Sequence, residues 1–232
     1  MSAQEFAPGL VIQHFVPPLR LGDFKAIAFD MDSTLISIEC IDEIADAVGK
    51  KAEVAAITEA AMRGEITDFK DSLRRRVALL KGVPAESLQE VYDQRLKINP
   101  GAPELINAAK AAGLQTLLVS GGFTFFADRV RERLGMHEAH SNTLEIEGGL
   151  LTGRVLGDIV DGEAKKQHLL RLCARIGCDP RQSIAVGDGA NDLLMMGVAG
   201  LSVAYHAKPK VREQAMVAIN EGGLDRVLAL MA

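Results

Sequence analysis

The sequence predicts an α/β fold: a central parallel β-sheet flanked by helices and interrupted, after its first strand, by a purely helical insertion. Three observations carry this expectation. The runs KAIAFD (25–30), LQTLLVS (114–120) and SIAVGD (183–188) are mainly apolar and end in a polar residue, as strands buried on both faces do. Helical patterns near 103–112, 123–134, 163–177 and 223–231 alternate with strand-like runs. From Ile41 to about Pro100 the alternation stops and only helical patterns remain.

Residues 1–24 carry Pro8, Pro17, Pro18 and Gly22 with little periodicity, and read as an extended lead-in. KAIAFD is the first strand. The insertion then runs IDEIADAVG, KAEVAAITEAAMRG, TDFKDSLRRRVALLKG and PAESLQEVYDQRL, with Asp and Thr at helix starts and Gly at helix ends. Four consecutive helices bury their apolar faces against one another, which predicts a small helical cap. LQTLLVS resumes the sheet. TLEIEGGLLTGRV (143–155) places two alternating runs around Gly148-Gly149, a β-hairpin pattern. SIAVGD follows, and LSVAY (201–205) and MVAIN (216–220) are weaker strands of the same sheet. The expected organisation is an N-terminal extension (1–24), an α/β core (25–40 and 101–232) and a helical cap (41–100).

Composition narrows the function. The 232 residues hold 26 Lys+Arg against 31 Asp+Glu, a net charge of −5, which argues against nucleic-acid partners and anionic membrane surfaces. There is no Trp, so a base-stacking surface is not expected. Cys40, Cys173 and Cys178 form no C-x-x-C pair and read as reduced thiols. No basic leader with an apolar run opens the chain, and no apolar stretch approaches a membrane span, so a cytoplasmic location is expected.

Three polar clusters fall at the carboxyl ends of predicted strands, where open parallel sheets bind ligands. Asp30-Met31-Asp32-Ser33-Thr34 puts two carboxylates at i and i+2, suited to a nucleophile beside an acid/base group. Ser120-Gly121-Gly122 precedes a helix and offers a hydroxyl with free amides, a phosphate cradle. Gly187-Asp188-Gly189-Ala190-Asn191-Asp192 offers hard oxygen ligands for a divalent cation. A solvated turn explains any one of these, but not all three on separate strands. Lys165 or Lys166, opening the helix at 163–177, supplies the cation an anionic ligand needs.

With these residues in place, the chain resembles the haloacid-dehalogenase superfamily. Its D-x-D-x-T pattern is met by Asp30, Asp32 and Thr34, its second-motif Ser by Ser120, its third-motif Lys by Lys165, and its G-D-x-x-x-D by Gly187, Asp188 and Asp192. FDMDSTL, the SLRRRVALLKG run, VSGGF and AVGDGAND, in that order, are similar to the branch that hydrolyses phosphoserine. The resemblance implies a Rossmann-like core with a C1-type cap and hydrolysis of O-phospho-L-serine, the last step of serine biosynthesis. Asp30 is then the nucleophile and Asp32 the general acid/base. Mg2+ is expected at Asp30, the Asp32 carbonyl and Asp188, with Asp192 a further ligand or a group orienting water. Ser120, Gly121, Lys165 and Asn191 are expected to hold the phosphoryl group. Glu39 would meet the ammonium and Arg76 the carboxylate, for which a guanidinium fork is suited. Met62 and Phe69 match apolar positions closing over the site. A monomer or homodimer is expected.

Two alternatives stand beside this reading. A related phosphatase or phosphotransferase would pass phosphate to another small alcohol such as homoserine. A receiver-like phospho-acceptor would store it, but has no need of Asp32. Arg74 and Arg75 read as a solvated helix face, His137 and His140 as surface residues, and His14, His168 and His206 as isolated.

Overall fold

The computed structural model describes residues 3–63 and 65–232. Its strands are β1 (Gln4–Ala7), β2 (Leu10–Ile12), β3 (Ala26–Phe29), β4 (Gln115–Phe123), β5 (Glu138–Glu147), β6 (Leu150–Leu156), β7 (Ser183–Gly187), β8 (Leu201–Tyr205) and β9 (Val217–Ile219). Its helices are α1 (Cys40–Ala47), α2 (Lys51–Met62), α3 (Phe69–Ala78), α4 (Glu86–Gln94), α5 (Ala102–Ala111), α6 (Thr124–Leu134), α7 (Gly162–Ile176), α8 (Leu193–Val198) and α9 (Pro209–Gln214). One sheet joins all the strands in the order β1-β2-β9-β8-β7-β3-β4-β5-β6. Its centre, β9 through β5, is parallel. Only the two edges turn antiparallel.

Alternation along the central strands divides the core. Ile27 and Phe29 of β3 face one side, with Leu105 and Ile106 of α5 and Phe126 and Val130 of α6. Ala26 and Ala28 face the other, with Leu169 and Leu172 of α7 and Met195 of α8. Small residues on that second face let α7 approach the sheet closely, which brings its first turn to the strand ends. β3 lies between β7 and β4, so the chain fills one side of the sheet and then returns to the other. The carboxyl ends of β3 and β7 therefore flank the topological switch point, where such sheets bind ligands.

The insertion contains the four expected helices, α1 to α4, between β3 and α5. Ile41, Ile44, Val54, Leu73, Val77, Leu88 and Val91 bury its interior in continuity with the core. Asp68 caps α3, accepting from the Lys70 amide at 3.0 Å. The Gly148-Gly149 turn has φ of 57° and 79°, the left-handed pair of a two-residue hairpin. Its tip also holds the insertion: the Gly82 amide donates to Leu151 O, and the Ala85 amide to Gly149 O, both at 2.8 Å.

Three sequence expectations change. The segment read as an extended lead-in contains β1 and β2, and β2 extends the sheet antiparallel to β9 (Leu10 opposite Ile219). The helix expected at 223–231 is a 3-10 helix over Leu224–Leu230. His168 is not isolated: its ring stacks on His140 at 4.0 Å, and burial, then His140, pushes it down to about 4. Cys40, Cys173 and Cys178 are free thiols. Among the described residues no helix is long and apolar enough to cross a membrane.

Candidate active site

A cavity of about 920 Å³ opens between the strand ends and the helical insertion. Asp30, Asp32, Ser120, Gly121, Asp188 and Asn191 line it from the core, and Glu39, Phe69 and Arg76 from the insertion side. The structure thus brings together nine of the sequence-predicted residues on one surface. Lys165 and Asp192 stand immediately behind that surface, both fully buried. The Met62 side chain lies outside the described residues.

Asp30 follows β3, and its amide donates to Val186 O of β7 at 2.9 Å. Its Oδ1 accepts from the Met31 amide at 2.7 Å and from Lys165 Nζ at 2.8 Å. Oδ2 makes no hydrogen bond among the described residues. Lys165 Nζ also meets Asp192 Oδ1 at 2.8 Å, so one buried cation serves two carboxylates. Burial alone would lower the Lys165 pKa, but Asp192 and then Asp30 more than reverse it, and the ammonium stays charged. Lys165 Nζ is held between these two carboxylates just behind the cavity wall. The first turn of α7 that presents it is capped by Asp161, which accepts from the Ala164 amide at 2.9 Å.

Asp32 differs from its neighbour. Burial, then Glu39 and Asp30, raise its pKa well above the usual carboxylate range. Its Oδ1 is buried without a partner, and its Oδ2 has only a 3.4 Å bond from the Cys40 amide. Two carboxyls two residues apart, one clamped by a cation and one pushed toward its neutral form, are the pairing that separates a nucleophile from a proton donor.

Asp30, Asp188 and Asp192 bring ligand oxygens within 4.8 Å of one another. Burial, then Asp30 and Asp192, pushes Asp188 up to about 8, and burial, then Asp30, pushes Asp192 up to about 6. Three crowded carboxylates against one lysine leave excess negative charge, and their hard oxygen donors suit a divalent cation. The Asp32 side chain is outside this triad. Because such a cation must displace protons from Asp188 and Asp192, its apparent affinity should rise with pH between 6 and 8. About tenfold per unit is expected below the Asp188 pKa, with proton release visible by calorimetry in buffers of different ionisation enthalpy. A flat affinity profile would contradict the shared site.

Glycines admit these groups. A Cβ on Gly187 would strike the Asp192 carboxylate, and one on Gly121 would lie 2.9 Å from Phe69 Cζ, where the insertion reaches the core. Ser120 Oγ accepts from the Gly122 amide at 2.9 Å. Glu39 Oε1 accepts from Ser33 Oγ at 2.6 Å, and burial raises its pKa. Arg74 and Arg75 are exposed as expected, and Arg75 pairs with Asp71 at 2.8 Å.

Three supporting residues were not evident from the sequence. Asn99 Nδ2 donates to Thr34 O at 2.8 Å and Ile36 O at 3.1 Å, fixing the loop after β3. Asn142 Nδ2 donates to Gly121 O, and its Oδ1 accepts from the Val160 amide, both at 2.8 Å. Lys70 on α3 pairs with Asp161 at 3.2 Å, linking the insertion to the start of α7.

An aspartate pair after the first strand, a buried lysine and an acidic triad at the switch point define a phosphoryl-transfer site of one kind. The chain belongs to the haloacid dehalogenase-like hydrolases, whose family model matches residues 24–200. It is 67% identical over 235 residues to a phosphoserine phosphatase of Polaromonas sp. (strain JS666), covering 100% of both chains. Among solved structures, a phospho-aspartyl intermediate analogue of phosphoserine phosphatase matches with TM-score 0.84 and 39% identity, over 90% of this chain and 99% of that one. A substrate-bound phosphoserine phosphatase complex matches with TM-score 0.83 and 39% identity, over the same shares.

Proposed function

We propose that this chain is a Mg2+-dependent phosphatase that hydrolyses O-phospho-L-serine to L-serine and phosphate through an aspartyl phosphate on Asp30. The observation that carries this reading is the unequal pair: Asp30 clamped through Oδ1 by Lys165, and Asp32 held toward its protonated form.

Asp30 Oδ2 attacks phosphorus, forming an acyl-phosphate bond as the bond from phosphorus to the seryl oxygen breaks. Asp32 gives its proton to the departing oxygen, releasing serine. The resulting Asp32 carboxylate then takes a proton from water, which attacks the same phosphorus. The bond to Asp30 breaks and phosphate leaves. Lys165 fixes the rotamer of Asp30 and balances its charge throughout. Ser120, the amide of Gly121, Lys165 and Asn191 bind phosphoryl oxygens, and Asp192 anchors Lys165. Asp30, Asp188 and the Asp32 carbonyl would hold Mg2+, with Asp192 as neighbour, and the ion would supply positive charge that lets two anions approach.

Residues 41–100 act as a cap over the core of 25–40 and 101–232. Glu39 at its base receives the ammonium, Arg76 receives the carboxylate, and Phe69 closes the apolar side.

Two measurements test this. The kcat/KM for phosphoserine should exceed that for simple phosphomonoesters; equal values would sink the substrate assignment. Asp32→Asn should lower kcat on the order of 10²–10⁴-fold, the usual range for a lost general acid, while leaving divalent-cation binding in calorimetry near wild type. Near-normal turnover of that variant would remove Asp32 from the mechanism.

A further inference from the structure

Ser33, next to Asp32 on the cavity wall, holds a backbone conformation that a side chain disfavours. Its φ is 57°, in the left-handed region where a Cβ crowds the following carbonyl and glycine is the usual occupant. His14 and His206 share this property among the described residues, but neither lines the active-site cavity. Backbone bonds make the turn: the Thr34 amide donates to Met31 O and the Ser33 amide to Ile38 O, both at 3.2 Å. A glycine would make the same turn without the crowding, so the turn itself calls for no side chain here.

The Ser33 hydroxyl has a specific partner. Oγ donates to Glu39 Oε1 at 2.6 Å, the short length of a bond to a charged acceptor. Glu39 is the N-cap of α1, yet its side chain makes no bond to the helix amides. Among the described residues its carboxylate accepts from no other donor and forms no ion pair within 4.0 Å. Without Ser33, this long and exposed side chain would be free to leave the cavity wall or to fold onto the amides that open α1. The Ser33 amide bond to Ile38 O closes the loop after β3, which sets the two residues side by side.

We propose that Ser33 is a positioning residue for Glu39: its hydroxyl binds one carboxylate oxygen so that the other receives the substrate's ammonium. A carboxylate accepts at both oxygens, so the bond from Ser33 leaves Oε2 for the ligand. The left-handed backbone at residue 33 aims the hydroxyl at Glu39, and the bond formed there offsets the crowding. A glutamate freed of this restraint keeps its charge but loses the fixed place that separates an ammonium-bearing substrate from one without it. The inference rests on the assignment of Glu39 to the substrate ammonium.

The test compares phosphoserine with O-phospho-3-hydroxypropanoate, which keeps the phosphate and carboxylate but lacks the ammonium. Ser33→Ala and Ser33→Gly both remove the hydroxyl, and glycine also relieves the left-handed backbone. Both should raise KM for phosphoserine on the order of tenfold with kcat within about twofold. The effect on the deamino analogue should be several-fold smaller. In a Glu39→Ala background, removing the hydroxyl should add nothing further, as for two residues acting through one contact. A Ser33→Gly enzyme with wild-type KM would show that the hydroxyl is dispensable and overturn the proposal. So would equal losses on both substrates, which would make the hydroxyl a phosphoryl ligand or a tie of the loop after β3. If Glu39→Gln alone spares phosphoserine, the ammonium assignment itself fails, and that result needs no Ser33 variant.

Discussion

Asp30→Asn should abolish turnover, lowering kcat on the order of 10⁴-fold or more, because removing a nucleophile forfeits the whole covalent route. The protein should nonetheless fold. Asn keeps the oxygen that accepts from the Met31 amide at 2.7 Å and the shape that fills the buried site. Asp30 is also the foremost charge raising both Asp188 and Asp192, so its removal relieves crowding in the triad. Thermal unfolding should therefore be unchanged or slightly raised near neutral pH. A variant within tenfold of wild-type kcat would place the nucleophile elsewhere.

Lys165→Met should have the second largest effect, on both activity and stability. Lys165 is fully buried and within 2.8 Å of Asp30 and Asp192, so the variant strands two carboxylates with no countercharge. Breaking a buried pair from one side costs about 3–5 kcal/mol, unlike replacing the whole set with apolar residues. The sign of the pH dependence follows. With Lys165 gone, Asp192, which burial and Asp30 already raise, loses the cation that lowers it, so its folded-state pKa stands further above the unfolded value. The protonated form of Asp192 is the one the folded protein tolerates, so stability is kept below about pH 4, the unfolded carboxylate value, and lost as pH rises through the raised folded value. The deficit relative to wild type should grow from pH 4 toward pH 8, measured by denaturant unfolding. kcat/KM should fall on the order of 10³-fold, since the nucleophile loses its orientation and its charge balance. A deficit constant with pH would mean that packing, not charge, is what Lys165 provides.

How legible this architecture is in the sequence depends on how each element is stabilised. β3, β4 and β7 are covered on both faces, so their runs are apolar throughout and stand out. β1 and β2 are four and three residues long at a sheet edge, and β1 is largely exposed, so neither period nor composition marks them. At six residues each, α8 and α9 are too short to display a helical stripe. LDRVLAL has a period that serves a 3-10 helix as well as an α-helix.

The site divides the same way. Asp30 and Asp188 are legible because each directly follows a strand beside a glycine or near a second carboxylate, and Ser120 because a glycine pair follows it. The cap residues are legible only through family resemblance, since Arg76 lies on a helix beside two solvated arginines. Asn99 and Asn142 escape notice because they bind backbone carbonyls of segments distant in the chain, and a single asparagine in a loop or a strand carries no pattern. Lys165 was visible as a cation but not as a group already paired with Asp30 and Asp192, which only packing of α7 on the alanine face of the sheet reveals.

The central claim is that phosphate passes through Asp30. Peptide mass mapping of protein quenched in acid during turnover of phosphoserine tests it most directly. The account predicts one added phosphoryl group on the peptide containing Asp30, present in wild type, enriched when water attack is slowed, and missing from Asp30→Asn. A phosphoryl group on any other residue, or turnover with no phosphorylated peptide even when the second step is slowed, would contradict it.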